Sequence, residues 1–183
     1  MRITGVRIWR AELAYKEVFR TALGESARTD VLVVELATDE GLRGLGECAP
    51  LPRVTGETLD DALTALKALG RELVGSDPLR REVLRELALK LAPRCPAARA
   101  ALDMALWDLM GQLAGRPLYQ LLGGFRDRVR TDITISLKGP EEMAEDALKA
   151  VEAGFRALKL KVGEGGVEED VERVRAVRDA VGP

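Results

Sequence analysis

Residues 130–181 read as strand, helix, strand, helix, and this order constrains the chain more than any other feature. Two strands joined through a helix pair in parallel, and a parallel pair needs helices over its apolar face. The first strand covers residues 130–137. The second covers residues 156–162, Arg-Ala-Leu-Lys-Leu-Lys-Val. Between them Gly139-Pro140-Glu141-Glu142 opens a helix, with acids placed to favour its N-terminal dipole, and Gly154 ends it. A second helix runs from about Val167 to Val181 and closes on Gly182-Pro183. Two such units begin a parallel sheet or a (β/α)8 barrel. They cannot close one, and they leave unpaired strand edges.

The first 124 residues are organised differently. Residues 2–13, 31–38 and 42–48 read as strands, with Asp39-Glu40-Gly41 as a turn, which suggests an antiparallel meander. Residues 18–28 lack periodicity and read as a loop. Thr58 and Asp61 form a capping-box pattern ahead of a helix over residues 59–73. Asp77-Pro78 is expected to open another helix, with proline at its first position. A third helix spans about residues 97–113, where Ala98, Ala101, Leu102, Ala105, Leu106, Leu109 and Leu113 keep helical spacing and Gly115 follows. A sheet followed by helices is an α+β pattern. The expected division is therefore an α+β domain over residues 1–124 and the start of a barrel domain over 125–183.

Composition removes several classes of function. A net charge of −2 offers no electrostatic case for nucleic acid or an anionic membrane. No run approaches the ~18 apolar residues of a membrane span, and the N-terminus shows no apolar leader. Cys48 and Cys95 form neither a zinc pattern nor a disulfide framework, and reduced thiols in a cytoplasmic protein are expected. The absence of histidine excludes Ser-His-Asp and Cys-His catalysis and leaves oxygen ligands for any metal. There is no asparagine, and glutamine occurs only at Gln112 and Gln120; with many Arg and Glu, this fits a thermophile.

Lys159 and Lys161 are the sharpest candidates for chemistry. Alternate strand residues share a face, so the lysines lie on one side and Leu158, Leu160 and Val162 on the other. Inside a barrel the two ammonium groups would repel each other and be poorly solvated, which lowers a lysine pKa and prepares it to take a proton. The other reading is a solvent-facing polar stripe on an edge strand. Thr134 and Ser136 share a face of the preceding strand and could bind substrate or position a lysine. The loop Val162-Gly163-Glu164-Gly165-Gly166 precedes a helix and could cradle an anion, but it lacks P-loop and dinucleotide spacing. Asp103, Asp108 and Glu47 are expected to be structural caps or ion pairs. Trp9, Trp107, Phe125 and Phe155 are expected in the core.

Four segments together resemble the muconate-lactonizing subgroup of the enolase superfamily: Gly44-Leu45-Gly46-Glu47; Ala101-Leu102-Asp103-Met104-Ala105-Leu106-Trp107-Asp108; Pro117-Leu118-Tyr119-Gln120-Leu121-Leu122-Gly123-Gly124; and Lys159-Leu160-Lys161-Val162-Gly163. Within it the chain is most similar to dipeptide epimerases of the L-Ala-D/L-Glu type, through Phe19-Arg20-Thr21-Ala22-Leu23, Val54-Thr55-Gly56-Glu57 and Thr131-Asp132-Ile133-Thr134-Ile135-Ser136. The resemblance implies a capping domain ahead of the barrel. It also implies abstraction of the proton next to a carboxylate, with Mg2+ stabilising the enediolate. By that analogy Lys161 is the acid/base, Lys159 helps tune it and neutralises the carboxylate, and Thr134 lines the site. Thr21, Arg20 and Thr55 belong to loops that choose the substrate. The Mg2+ carboxylates and a second lysine are expected on later barrel strands, so no residue here is assigned as a metal ligand. Ala-Glu epimerases carry an arginine directly after Thr-Ala-Leu, where this chain has Gly24. Arg20 or Arg28 could substitute, and a different second side chain is a credible substrate.

The expectation is therefore an isomerase, inactive as these 183 residues alone, acting on a dipeptide or related small carboxylate. A homo-oligomer is expected. Muconate cycloisomerase, o-succinylbenzoate synthase and N-acylamino acid racemase are the alternatives within the subgroup. A non-catalytic truncated interaction protein is the alternative outside it.

Overall fold

The computed structural model describes residues 1–183. Its chain divides into two compact units. One comprises Met1–Leu13 and Asp30–Asp127; the other comprises Ala14–Thr29 and Arg128–Pro183. The division crosses a long hairpin. Strand β1 (Ile3–Thr21) and strand β2 (Gly24–Thr38) each begin or end in one unit and continue into the other.

In the first unit the sheet order is β1-β2-β3, with β3 at Arg43–Cys48 antiparallel to β2. The register pairs Leu36 with Gly44, Val34 with Gly46 and Leu32 with Cys48. Five helices follow: α1 (Pro52–Thr55), α2 (Leu59–Leu73), α3 (Arg81–Leu91), α4 (Pro96–Ala114) and α5 (Leu118–Leu121). Helix α4 lies directly on β3, and the reason is the Gly-Leu-Gly sequence. A Cβ on Gly44 would stand 2.1 Å from the Ala105 carbonyl oxygen, and one on Gly46 would stand 1.9 Å from that of Ala101. Helix and strand backbones therefore meet without side chains between them. Around this contact Leu32, Leu36, Leu66, Leu69, Leu102, Leu106 and Leu109 are buried in one core. Each fully buried leucine contributes about 1.5–3 kcal/mol over an exposed one.

The caps explain where these helices begin. Thr58 accepts the Asp61 N–H at 3.1 Å while Asp61 accepts the Thr58 N–H at 3.0 Å, closing the expected capping box of α2. Helix α4 has no cap from its own side chains. Buried Glu57 supplies one from a distance, its Oε1 accepting the Ala97 N–H at 2.9 Å. A carboxylate there also suits the positive end of the helix dipole.

Three local expectations are corrected. Residues 18–28 are strand ends and a turn, not a loop. Most of their side chains are exposed on both faces, so no burial rhythm marks them in the sequence. Pro78 does not begin α3. The Asp77 carboxylate accepts the Leu79 N–H at 2.9 Å and the Asp77 carbonyl accepts the Arg80 N–H, so Asp-Pro forms a turn that delays the helix to Arg81. The aromatics are not all core. Trp9 is 43% and Phe125 87% exposed, and Trp107 is half-buried beneath the Arg81 guanidinium, 4.6 Å from the ring centroid.

The second unit holds two βα units: β4 (Ile133–Ile135), α6 (Pro140–Glu152), β5 (Leu158–Leu160) and α7 (Val167–Val181). The strands pair in parallel, shorter than their sequence suggests. Ile135, Met143, Ala147, Ala150 and Val177 form the buried centre, with Ile133, Phe155, Leu158 and Leu160 packed against it. No helix of the chain is long and apolar enough to cross a membrane.

Candidate active site

The register of β4 and β5 sets the candidate site. Ile133 pairs with Leu158, Thr134 with Lys159 and Ile135 with Leu160. Beyond the last pair, the Lys161 N–H donates to the Ile135 carbonyl at 3.1 Å, so the ladder reaches Lys161. Paired residues of parallel strands point the same way. One face therefore carries the isoleucines and leucines that pack on α6 and α7. The opposite face carries Thr134, Ser136, Lys159 and Lys161 at the C-terminal ends of the strands. Lys159 is exposed and Lys161 half-buried.

The hairpin tip belongs to the same unit. The Arg20 N–H donates to Ser136 Oγ at 3.4 Å, and the Arg20 carbonyl accepts the Leu137 N–H at 3.2 Å. These bonds fasten the end of β1 beside the end of β4. Thr21 sits at the turn. Its hydroxyl accepts the Leu23 N–H at 3.2 Å and donates to the Gly24 carbonyl at 3.3 Å, so its polar atoms hold the turn itself. Gly24 has φ 122°, a conformation that side chains rarely adopt. Arg20 lies 3.0 Å from Glu25, and that pair neutralises its charge. Thr55 lies in the other unit, exposed at the end of α1, with its hydroxyl bonded to the backbone of Leu51.

A third lysine stands nearby. Lys138 follows β4 and donates to Asp146 at 2.6 Å, with Glu17 at 3.6 Å. The hydrogen bond to Asp146 raises its pKa above the ordinary lysine range, which keeps it a cation rather than a base.

The glycine loop after β5 is filled by its own helix. The Gly163 N–H donates to Asp170 Oδ2 at 2.9 Å. Buried Arg173 donates to the Lys138 carbonyl at 3.1 Å, the Glu164 carbonyl at 2.7 Å and Asp170 at 2.7 Å. A backbone N–H that could hold an anion is thus occupied by a carboxylate. The Arg173 brace carries no motif and was not legible in the sequence; its only signal is an arginine one turn after Glu169-Asp170. Asp103 pairs with Arg81 and Asp108 accepts the Leu45 N–H, both structural roles as expected.

No group of three or more Cys, Asp or Glu in the chain could hold a metal ion. The donor set present does not fit a resident Mg2+.

Residues 3–123 match the family model for the N-terminal domain of mandelate racemase / muconate lactonizing enzyme, and residues 142–183 match the enolase C-terminal domain-like model. The chain belongs to this family of the enolase superfamily. A hydrophobic dipeptide epimerase of Enterococcus faecalis is 44% identical over 182 residues, covering 100% of this chain and 51% of the relative. The solved dipeptide epimerase of Enterococcus faecalis V583, complexed with Mg and the dipeptide L-Leu-L-Tyr, matches with a TM-score of 0.96 at 44% identity, again over 100% of this chain and 51% of that one. An N-succinyl-L-Arg/Lys racemase of Bacillus cereus is 34% identical over 184 residues, covering 100% of this chain and 50% of the relative. The chain thus spans about half the length of the curated relatives it matches. As a family member it combines the antiparallel sheet and helices of the N-terminal domain with the first two units of the barrel.

Proposed function

We propose that this chain carries the capping domain and the first acid/base lysine of a dipeptide epimerase. The observation that carries the reading is the placement of Lys161, Lys159 and Thr134 on one face at the C-terminal ends of a parallel pair, where barrel enzymes keep their sites. Lys161 takes or delivers the proton on one face of the carbon next to the substrate carboxylate, and inversion is completed by a second acid/base on the opposite face, expected from the family on a later strand. Lys159, two residues away and roughly 7 Å along the strand, adds positive charge for the carboxylate as negative charge develops. Thr134 lies beside Lys159 in register and borders the substrate. Mg2+ is expected from the family, and relatives are solved with it. No group of three or more Cys, Asp or Glu in this chain could hold it, and its carboxylate ligands are expected on later barrel strands.

The hairpin tip favours a substrate without an acidic second side chain. Gly24 presents no side chain, Arg20 is paired with Glu25, and Leu23 is 60% exposed. The hydrophobic dipeptide epimerase among the relatives supports the same direction.

The test is α-proton exchange of L,L-dipeptides in D2O with Mg2+, by a protein carrying this chain within a complete barrel. Lys161→Ala is expected to lower exchange by about 10²–10⁴-fold with the fold intact, the range of a general acid/base group. Near-normal exchange would remove Lys161 from the mechanism. Glu25→Gln frees Arg20 and is expected to raise kcat/KM for Ala-Glu relative to an apolar dipeptide by about fivefold, the worth of one exposed ion pair of about 1 kcal/mol. An unchanged ratio would separate the tip from specificity. Arginine grafted at Gly24 is the poorer probe, because φ 122° strains any side chain there.

A further inference from the structure

The side chain of Lys161 ends four carbons from the backbone, and such a flexible stem loses much rotamer freedom when fixed. No salt bridge or side-chain hydrogen bond holds its ammonium; its neighbour is an aromatic face. Nζ lies 5.9 Å from the centroid of the Phe19 ring. That distance is within the ~6 Å reach of a cation–π contact.

The ring is itself restrained. Tyr15, four residues earlier on the same strand face, stands 6.0 Å away centroid to centroid with the planes tilted by 42°. The next residue, Arg20, is tied through its backbone to Ser136 and Leu137 at the end of β4. The backbone of Lys161 is tied to Ile135 of the same strand. The backbone segments that carry the ring and the ammonium are thus tied to one strand end by separate hydrogen bonds. Phe19 is half-buried, while residues 14–18 of the same strand are exposed.

We infer that Phe19 is a positioning residue for Lys161: its ring face holds the ammonium at the mouth of the strand pair and limits the rotamers it visits. The inference rests on the proposed role of Lys161 for its functional meaning, but the contact is measurable without turnover. A tip residue two positions before the Thr21 turn thereby acts on the proton-transfer group as well as on substrate choice.

The experiment is NMR of the 13C-labelled 183-residue chain, following the Lys161 Hε protons, assigned with Lys161→Arg. Protons over an aromatic face resonate upfield. Lys161 Hε is expected upfield of the other lysines in the wild type and in Phe19→Tyr, and among them in Phe19→Leu. The methyl signals of Ile133 and Ile135 should stay unmoved, reporting an intact strand. A Lys161 Hε shift equal in the wild type and Phe19→Leu overturns the contact. In the dipeptide assay above, Phe19→Leu is expected to lower kcat several-fold with KM little changed, and Phe19→Tyr to restore it. Equal kcat in Phe19→Leu and the wild type overturns the positioning role. Failure of the epimerase reading would instead show as absent exchange in the wild type, with the Hε shift still present.

Discussion

Helix α4 in the first unit and the β4–β5 pair in the second both solve the problem of burying an apolar face, and they solve it differently. In the first unit strand and helix touch backbone to backbone through Gly44 and Gly46, and α2 and α3 complete the enclosure around leucines that are almost wholly buried. In the second unit α6 and α7 cover one face of a two-stranded sheet, while the polar face and both strand edges find no further strand. Its centre is also smaller: five buried residues against nineteen in the first. The first unit therefore resembles a finished core, while the second leaves a polar sheet face outside its core. Polar residues are affordable on β5 because that face is not part of its core.

The comparison breaks most visibly at the close contact. Gly46→Ala puts a Cβ into the Ala101 carbonyl, and the first unit should lose about 3 kcal/mol or more, at or beyond the upper end of overpacking costs. Trp9 and Trp107 both lie in that unit, so fluorescence-detected urea unfolding reads it. A midpoint unchanged from the wild type would mean that α4 can shift away from β3.

A smaller loss is expected on the other side. Met143→Ala empties the centre between β4, α6 and α7 and should cost about 2–3 kcal/mol, the lower part of the range for such truncations, because an incompletely enclosed core can relax. Hydrogen exchange should quicken in residues 133–177 and stay unchanged in α2 and α4. Equal quickening in both would show one cooperative unit where the contacts describe two.

High pH separates them more finely. Burial pushes the Cys48 thiol from 9.0 up to about 12. Between these values an unfolded chain releases the proton and the folded one keeps it, so stability is fully present below pH 9.0 and falls as pH rises towards 12. The slope from one group is at most about 1.4 kcal/mol per pH unit. In the second unit the raised Lys138 contributes stability that is present below 10.5 and lost as pH rises above it. Tryptophan fluorescence should therefore register weakening of the first unit from about pH 9, ahead of exchange-detected weakening in the second. Cys48→Ala should flatten the fluorescence profile; a profile identical to the wild type would place the loss elsewhere.

Where periodicity and caps agreed, the sequence was legible almost to the residue. Helix α2 spans Leu59–Leu73 behind the Thr58–Asp61 box, and α4 exceeds its expected span by one residue at each end. The shared face of Lys159 and Lys161 also followed from strand geometry alone. The hairpin tip was not legible. Its residues are exposed, so neither face carries a hydrophobic signal, and ladder hydrogen bonds leave no mark on composition. Pro78 misled because the same dipeptide can open a helix or a turn, and the Asp77 carboxylate decided for the turn. Thr21, a substrate-binding candidate from its motif, spends its hydroxyl on the turn, a local choice that residue type does not disclose.

Local chemistry determined the elements, the two halves of the chain and the polar face of β5, because periodicity, capping and alternation act over a few residues. Tertiary structure alone decided that residues 14–29 join the barrel unit, that Glu57 caps α4 from 40 residues away, and that Phe19 faces Lys161. Each of these depends on which backbone groups find partners across long stretches of sequence. That is a property of the assembled chain, since an amide or an ammonium in the sequence carries no record of the group it will meet.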